Sequence, residues 1–165
     1  MANTTETLME VVRKNDIERV RELVSNGAQL TAVGENGRSL LHEAVWMGHR
    51  DMARCLVEVG ADVSAIDNDG SLASHLAAET GYTDTITLLL DNGVDINVQD
   101  KFGNNLLHLA ARFGHTETVK FLLENGADTN AKMEDGTTPL ISAQLRGHPD
   151  IVKILECYTH TSRNS

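Results

Sequence analysis

Residues 40–65 read LLHEAVWMGHRDMARCLVEVGADVSA, and residues 106–131 read LLHLAARFGHTETVKFLLENGADTNA. The two stretches align without a gap. Working outward, Gly37, Gly70, Gly103 and Gly136 recur at every thirty-third residue. A second series, Gly48, Gly81, Gly114 and Gly147, follows eleven residues behind the first, and a third runs through Gly27, Gly60, Gly93 and Gly126. Three glycine series on one period mean one supersecondary unit written repeatedly. The full copies are 34–66, 67–99 and 100–132. A variant copy precedes them at 1–33, and another follows at 133–158. Residues 159–165 form a polar tail, expected to be disordered.

Each copy predicts two short helices around a turn. In the second copy these are Leu40–Met47 and Asp51–Glu58. Met52, Ala53, Leu56 and Val57 give the second helix an apolar stripe at helical spacing. Gly48 suits a left-handed helix end, Pro139 a first helical turn, and Gly37 a tight turn between units. One copy alone cannot bury its apolar faces, so the copies must stack around a shared elongated core. In the first copy Arg13, Lys14 and Asn15 stand where inner copies carry larger apolar residues or glycine, as a water-facing end requires. The third copy places Ser74 where others place Leu41, Leu107 or Leu140. This predicts a weak middle that Ser74→Leu would strengthen.

The motifs Leu107-His108, Gly114-His115, Gly126-Ala127-Asp128 and Thr138-Pro139-Leu140 resemble those of the ankyrin repeat. The resemblance spans nearly the whole chain. It implies an all-α solenoid of five helix-turn-helix repeats with short β-turn loops, used for binding other proteins.

Composition narrows the partners. A net charge of −10 repels phosphate backbones and anionic membrane surfaces, so neither nucleic acid nor membrane is an expected partner. No apolar run approaches the roughly 20 residues of a membrane span. No secretory leader is legible in the first ten residues. Cys55 and Cys157 lie in different copies and form no CxxC pair, which fits reduced thiols and a cytoplasmic protein, with the nucleus also open to it.

Chemistry is not expected. Six of the seven histidines fall at two repeat positions, His42, His75 and His108, then His49, His115 and His148. The resemblance implies that these rings hydrogen-bond the backbone within and between copies. Asp62, Asp95, Asp128, Asp67 and Asp100 read as turn residues. No phosphate loop, nucleophile elbow or metal-ligand spacing is present, so no catalytic residue, cofactor or metal is expected.

The differences between copies are more informative. In ankyrin-like stacks the positions nine and ten after the loop glycine face a concave groove. Here they are Trp46-Met47, Glu79-Thr80, Arg112-Phe113 and Leu145-Arg146, with Arg38 and Phe102 on the neighbouring turn tips. Water-facing positions ought to be polar, yet these hold the only tryptophan and two of three phenylalanines. Trp46, Met47, Arg38, Glu79, Phe102, Arg112, Phe113 and Leu145 are therefore the candidate partner-binding residues. Phe121 reads as core and Tyr82 as a structural replacement for the turn histidine. Glu35, Asp69, Glu79, Glu134 and Asp135 rim the groove and predict a partner with apolar anchors and basic flanks. Asn97, preceded by Asp95 and Ile96, resembles ankyrin asparagines that are hydroxylated.

The expected function is a monomeric, non-enzymatic interaction module acting as adaptor or inhibitor. The alternatives are a secreted effector or viral mimic of host ankyrin inhibitors, with kinase- or NF-κB-type targets, and a plain structural scaffold.

Overall fold

The computed structural model describes residues 7–161, with side chains through residue 159. Among these are ten α-helices in five antiparallel pairs: α1 (Leu8–Arg13) and α2 (Ile17–Ser25), α3 (Leu40–Trp46) and α4 (Arg50–Glu58), α5 (Ala73–Thr80) and α6 (Thr83–Asp91), α7 (Leu106–Phe113) and α8 (Thr116–Glu124), α9 (Pro139–Arg146) and α10 (Pro149–Thr161). The odd helices pack side by side in an inner row and the even helices in an outer row. Val33 and Ser39 form an isolated antiparallel bridge.

Local chemistry sets each boundary. Ser39 caps α3 by accepting the His42 N–H, and Asn105 does the same for His108. Such caps satisfy backbone donors that a helix start leaves open. Thr138 caps α9, whose first residue is Pro139. Leu72 stands at the corresponding place of α5 and has no side-chain cap. Gly81, Gly114 and Gly147 end the inner helices with φ between 72° and 80°. In the first copy Asn15 adopts φ 58° in their place, which a short polar side chain tolerates.

One hydrophobic cluster runs from Leu8 to Leu155 through every pair. Each inner helix contributes residues such as Leu40, Leu41, Leu106 and Leu107, and each outer helix residues such as Met52, Leu56, Ile86, Leu89 and Leu122, all essentially without exposed surface. Phe121 is partly buried against this core. Ser74 has no exposed surface, and its hydroxyl has no hydrogen-bond partner.

Three boundaries differ from expectation. Helix α3 ends at Trp46 rather than Met47, which becomes the C-cap residue. Helix α4 begins one residue early, at Arg50. Helix α10 continues past Tyr158 to Thr161, so part of the stretch read as a disordered tail is helical. Residues 162–165, the rest of that tail, lie outside the described residues, as do residues 1–6 of the first copy.

Candidate protein-binding groove

The candidate residues share one place in successive copies. Trp46, Glu79, Arg112 and Leu145 lie in the last turns of α3, α5, α7 and α9, followed by Met47, Thr80, Phe113 and Arg146. Trp46 is 50% exposed, Met47 46%, Phe113 45% and Leu145 75%. On the loop before α7, Phe102 is 45% exposed. Glu79, Arg112 and Arg38 are half-buried. The rings are thus not interred between copies.

The loops fold back over the helix ends. Arg38, on the loop before α3, places its guanidinium 4.5 Å above the Trp46 ring. Arg112 donates through Nη2 to Asn104 Oδ1 at 3.3 Å. Loop and helix end therefore share one face in both copies. A cation on an indole face is held electrostatically, so Trp46 presents its remaining surface from a fixed pose. Lys101 stacks on Phe102 at 5.1 Å and pairs with Asp69 at 2.6 Å. That bridge joins the loops of the third and fourth copies and neutralises one of the expected rim acids.

Six histidines tie neighbouring copies together. His42, His75 and His108 donate through Nε2 to the carbonyls of Ser71, Asn104 and Thr137 in the next copy, at 2.8, 3.3 and 3.0 Å. Burial pushes all three rings below the usual histidine range. His49, His115 and His148 reach back to the carbonyls of Arg13, Glu79 and Arg112 in the preceding copy, at 3.2, 2.7 and 3.0 Å. Tyr82 takes this place in the third copy and covers Gly48, where an added Cβ would meet its hydroxyl at 2.9 Å.

The aspartates close turns. Asp67 Oδ1 accepts the N–H groups of Asp69 and Ser71, and Asp100 Oδ1 those of Phe102 and Asn104. Asp62, Asp95 and Asp128 accept from the N–H two residues on. Among the described residues no group of histidine, cysteine and carboxylate side chains could hold a metal ion. No helix there is long and apolar enough to cross a membrane.

Two family models match the chain. One, for ankyrin repeats (3 copies), covers residues 74–164, more than half of the sequence, and the other, for ankyrin repeats (many copies), covers residues 8–57. The chain belongs to the ankyrin repeat family. No curated protein matches it. Ankyrin repeats are in general protein–protein interaction modules.

Within this ankyrin stack, sequence reading missed a second apolar feature. Val33 and Ile66, 67% and 61% exposed, flank a cleft of about 330 Å³ whose floor is Leu40 and Leu41. Ala61 and Ala65 line it, where the third copy carries the larger Val94 and Val98. Further along, Asn97 Oδ1 accepts the Asp128 N–H at 2.7 Å and clasps two loops together. Thr31 holds the equivalent position beside the cleft. The legible signal was apolar residues at the last position of two copies, where the next two carry Gln99 and Lys132.

Proposed function

We propose that the chain works as a non-enzymatic docking module, an adaptor or inhibitor, that holds a segment of another protein along the concave face. The carrying observation is the row of exposed Trp46, Met47, Phe102, Phe113 and Leu145 on inner-helix ends and loops. Large side chains left in water on a rigid scaffold fit the centre of an interface, where tryptophan and arginine contribute most. Adjacent inner helices lie about 10 Å apart, so Trp46 and Phe113 span about 20 Å, with Glu79 between them. An extended peptide or a helix edge matches that reach. Of the rim acids, Asp69 is neutralised by Lys101 and Asp135 lies beside Arg112 and Arg146, which leaves Glu35, Glu79 and Glu134 to favour basic flanks on the partner. A preformed groove loses little conformational entropy on binding. The module is proposed to act as a cytoplasmic or nuclear monomer without nucleic-acid or membrane contacts.

Asn97 belongs to this reading as the one candidate modification site. Its Oδ1 is engaged by Asp128, so an asparaginyl hydroxylase would have to open that loop first. A one-oxygen mass increment on Asn97 after incubation with such an enzyme supports the site, and its absence removes it.

The deciding experiment compares affinity capture by the native chain with capture by a Trp46→Ala/Phe113→Ala variant of unchanged circular dichroism and melting. A partner lost only by the variant supports the groove. Equal capture moves the interface elsewhere.

A further inference from the structure

Two junctions of the stack can be compared position by position. Between the first and second copies, Arg13 Nε donates to Glu43 Oε1 at 2.6 Å, and Glu43 is 8% exposed. Between the fourth and fifth copies the equivalent residues are Arg112 and Ser142, each ninety-nine positions further on. Ser142 is too short to repeat the contact. It is 2% exposed, and its hydroxyl has no hydrogen-bond partner. Arg112 has no carboxylate at ion-pairing distance among the described residues. Among the described residues its side chain makes two long contacts, to Asn104 Oδ1 at 3.3 Å and Met133 Sδ at 3.4 Å.

Beside Ser142 lies a cleft of about 220 Å³ on the groove side of the fourth and fifth copies. Arg112, Arg146 and the orphan Ser142 line it, with Thr137, Asp135 and the exposed Leu145. Ser142 leaves the Glu43 place unfilled, but its hydroxyl has no accessible surface, so the donors offered to an acceptor in the cleft are the guanidinium groups that line it. At the first junction the protein fills the same place with a carboxylate of its own.

We infer that the cleft between Arg112, Ser142 and Arg146 receives a carboxylate side chain from the bound partner segment, the group that Glu43 supplies internally at the other end of the stack. The inference rests on the groove reading only in taking the ligand to be a polypeptide. Local charge selects the ligand class. Two arginines face one aspartate, and Asp135 Oδ1 is held by the Thr137 N–H at 2.9 Å. A net charge near +1 suits a carboxylate better than a dianionic phosphate. Leu145 beside the cleft favours an apolar neighbour for that acid. The partner then has a direction, with basic residues toward Glu35 and Glu79 and an acidic residue at the fifth copy.

Two measurements test this on the full chain. In the first, N-acetyl-glutamyl-leucine amide is titrated into isotope-labelled protein, with the glutaminyl and phosphoseryl peptides alongside. Resonance shifts are expected at Ser142, Leu145 and the Arg112 Nε–H. Affinity for the glutamyl peptide should be about tenfold above that for the glutaminyl one, the scale of a charged hydrogen bond, and should be lost in Arg112→Gln. Equal affinity for the glutaminyl peptide, tighter binding of the phosphoseryl peptide, or shifts elsewhere overturn the inference. In the second, Ser142→Glu rebuilds the Arg13–Glu43 arrangement and should raise Tm in the native background but not with Arg112→Gln. An equal change in both backgrounds overturns it. If the glutamyl peptide binds here while the Trp46→Ala/Phe113→Ala variant captures as well as the native chain, the extended groove reading fails and this site stands.

Discussion

His115 donates through Nε2 to the Glu79 carbonyl at 2.7 Å while its ring covers Gly81, where an added Cβ would stand 2.6 Å from Nδ1. The ring ties its copy to the preceding one, and the glycine is required twice over, by its φ of 75° and by the ring above it.

Gly81→Ala should therefore destabilise by about 1–3 kcal/mol, from left-handed strain together with displacement of His115. Gly93, with φ 96° and open space around it, isolates the strain, and Gly93→Ala should lose only about 1–2 kcal/mol. Urea unfolding with unchanged m-values checks both.

Acid should loosen the stack before the carboxylates titrate. His42, His75 and His108 have their proton affinity depressed by burial. The unfolded chain therefore binds protons that the folded chain refuses. Stability is fully present above the unfolded histidine value of about 6.5 and falls as pH drops below it, by about 1.4 kcal/mol per pH unit for each ring. The fall stops once the folded rings protonate. Chemical unfolding between pH 7.5 and pH 5 measures this, and His75→Gln should shrink the slope by one ring.

Ser74 buries a hydroxyl with no partner. Ser74→Ala should raise stability by about 1 kcal/mol, since an unmet buried polar group is unfavourable. Ser74→Leu restores the residue type found at Leu41 and Leu107 and should raise it further. A gain for alanine with none for leucine would show that Leu72, buried at the uncapped start of α5, already fills the space. Thermal melts of the three proteins separate these cases.

Asn97 clasps the loops of the third and fourth copies through the Asp128 N–H. Asn97→Ala should weaken that junction by about 1 kcal/mol and speed hydrogen exchange of the Asp128 amide several-fold, while the His42–Ser71 junction exchanges as before.

The glycine period made the helix pairs legible because chain reversals leave residue types little freedom. Gly48, Gly81 and Gly114 mark turns that most other residues would strain, and Pro139 suits the first turn of the helix it opens. Exposure of Trp46 and Phe113 was implied by the resemblance to ankyrin stacks, in which the positions they hold face the groove. What stayed illegible depends on pairings about thirty residues apart. Arg13 finds Glu43, and Ser142 fails to find Arg112, through side-chain reach across a junction, which spacing does not encode. The Arg38–Trp46 stack is a rotamer choice within one copy. The extension of α10 through Thr161 was hidden because a polar sequence can continue a helix as readily as end one.

The backward reach of the turn rings has one more consequence. Each of the Arg13, Glu79 and Arg112 carbonyls is claimed by a ring one copy later, and Gly114 lies directly beneath His148. Leu145 holds the corresponding place in the fifth copy, and a Cβ on Gly147 would meet nothing within 4 Å. An engineer wishing to lengthen the molecule thus inherits a socket already cut to shape. A grafted hairpin bearing histidine at its turn could dock there as a new storey, its ring seated over Gly147.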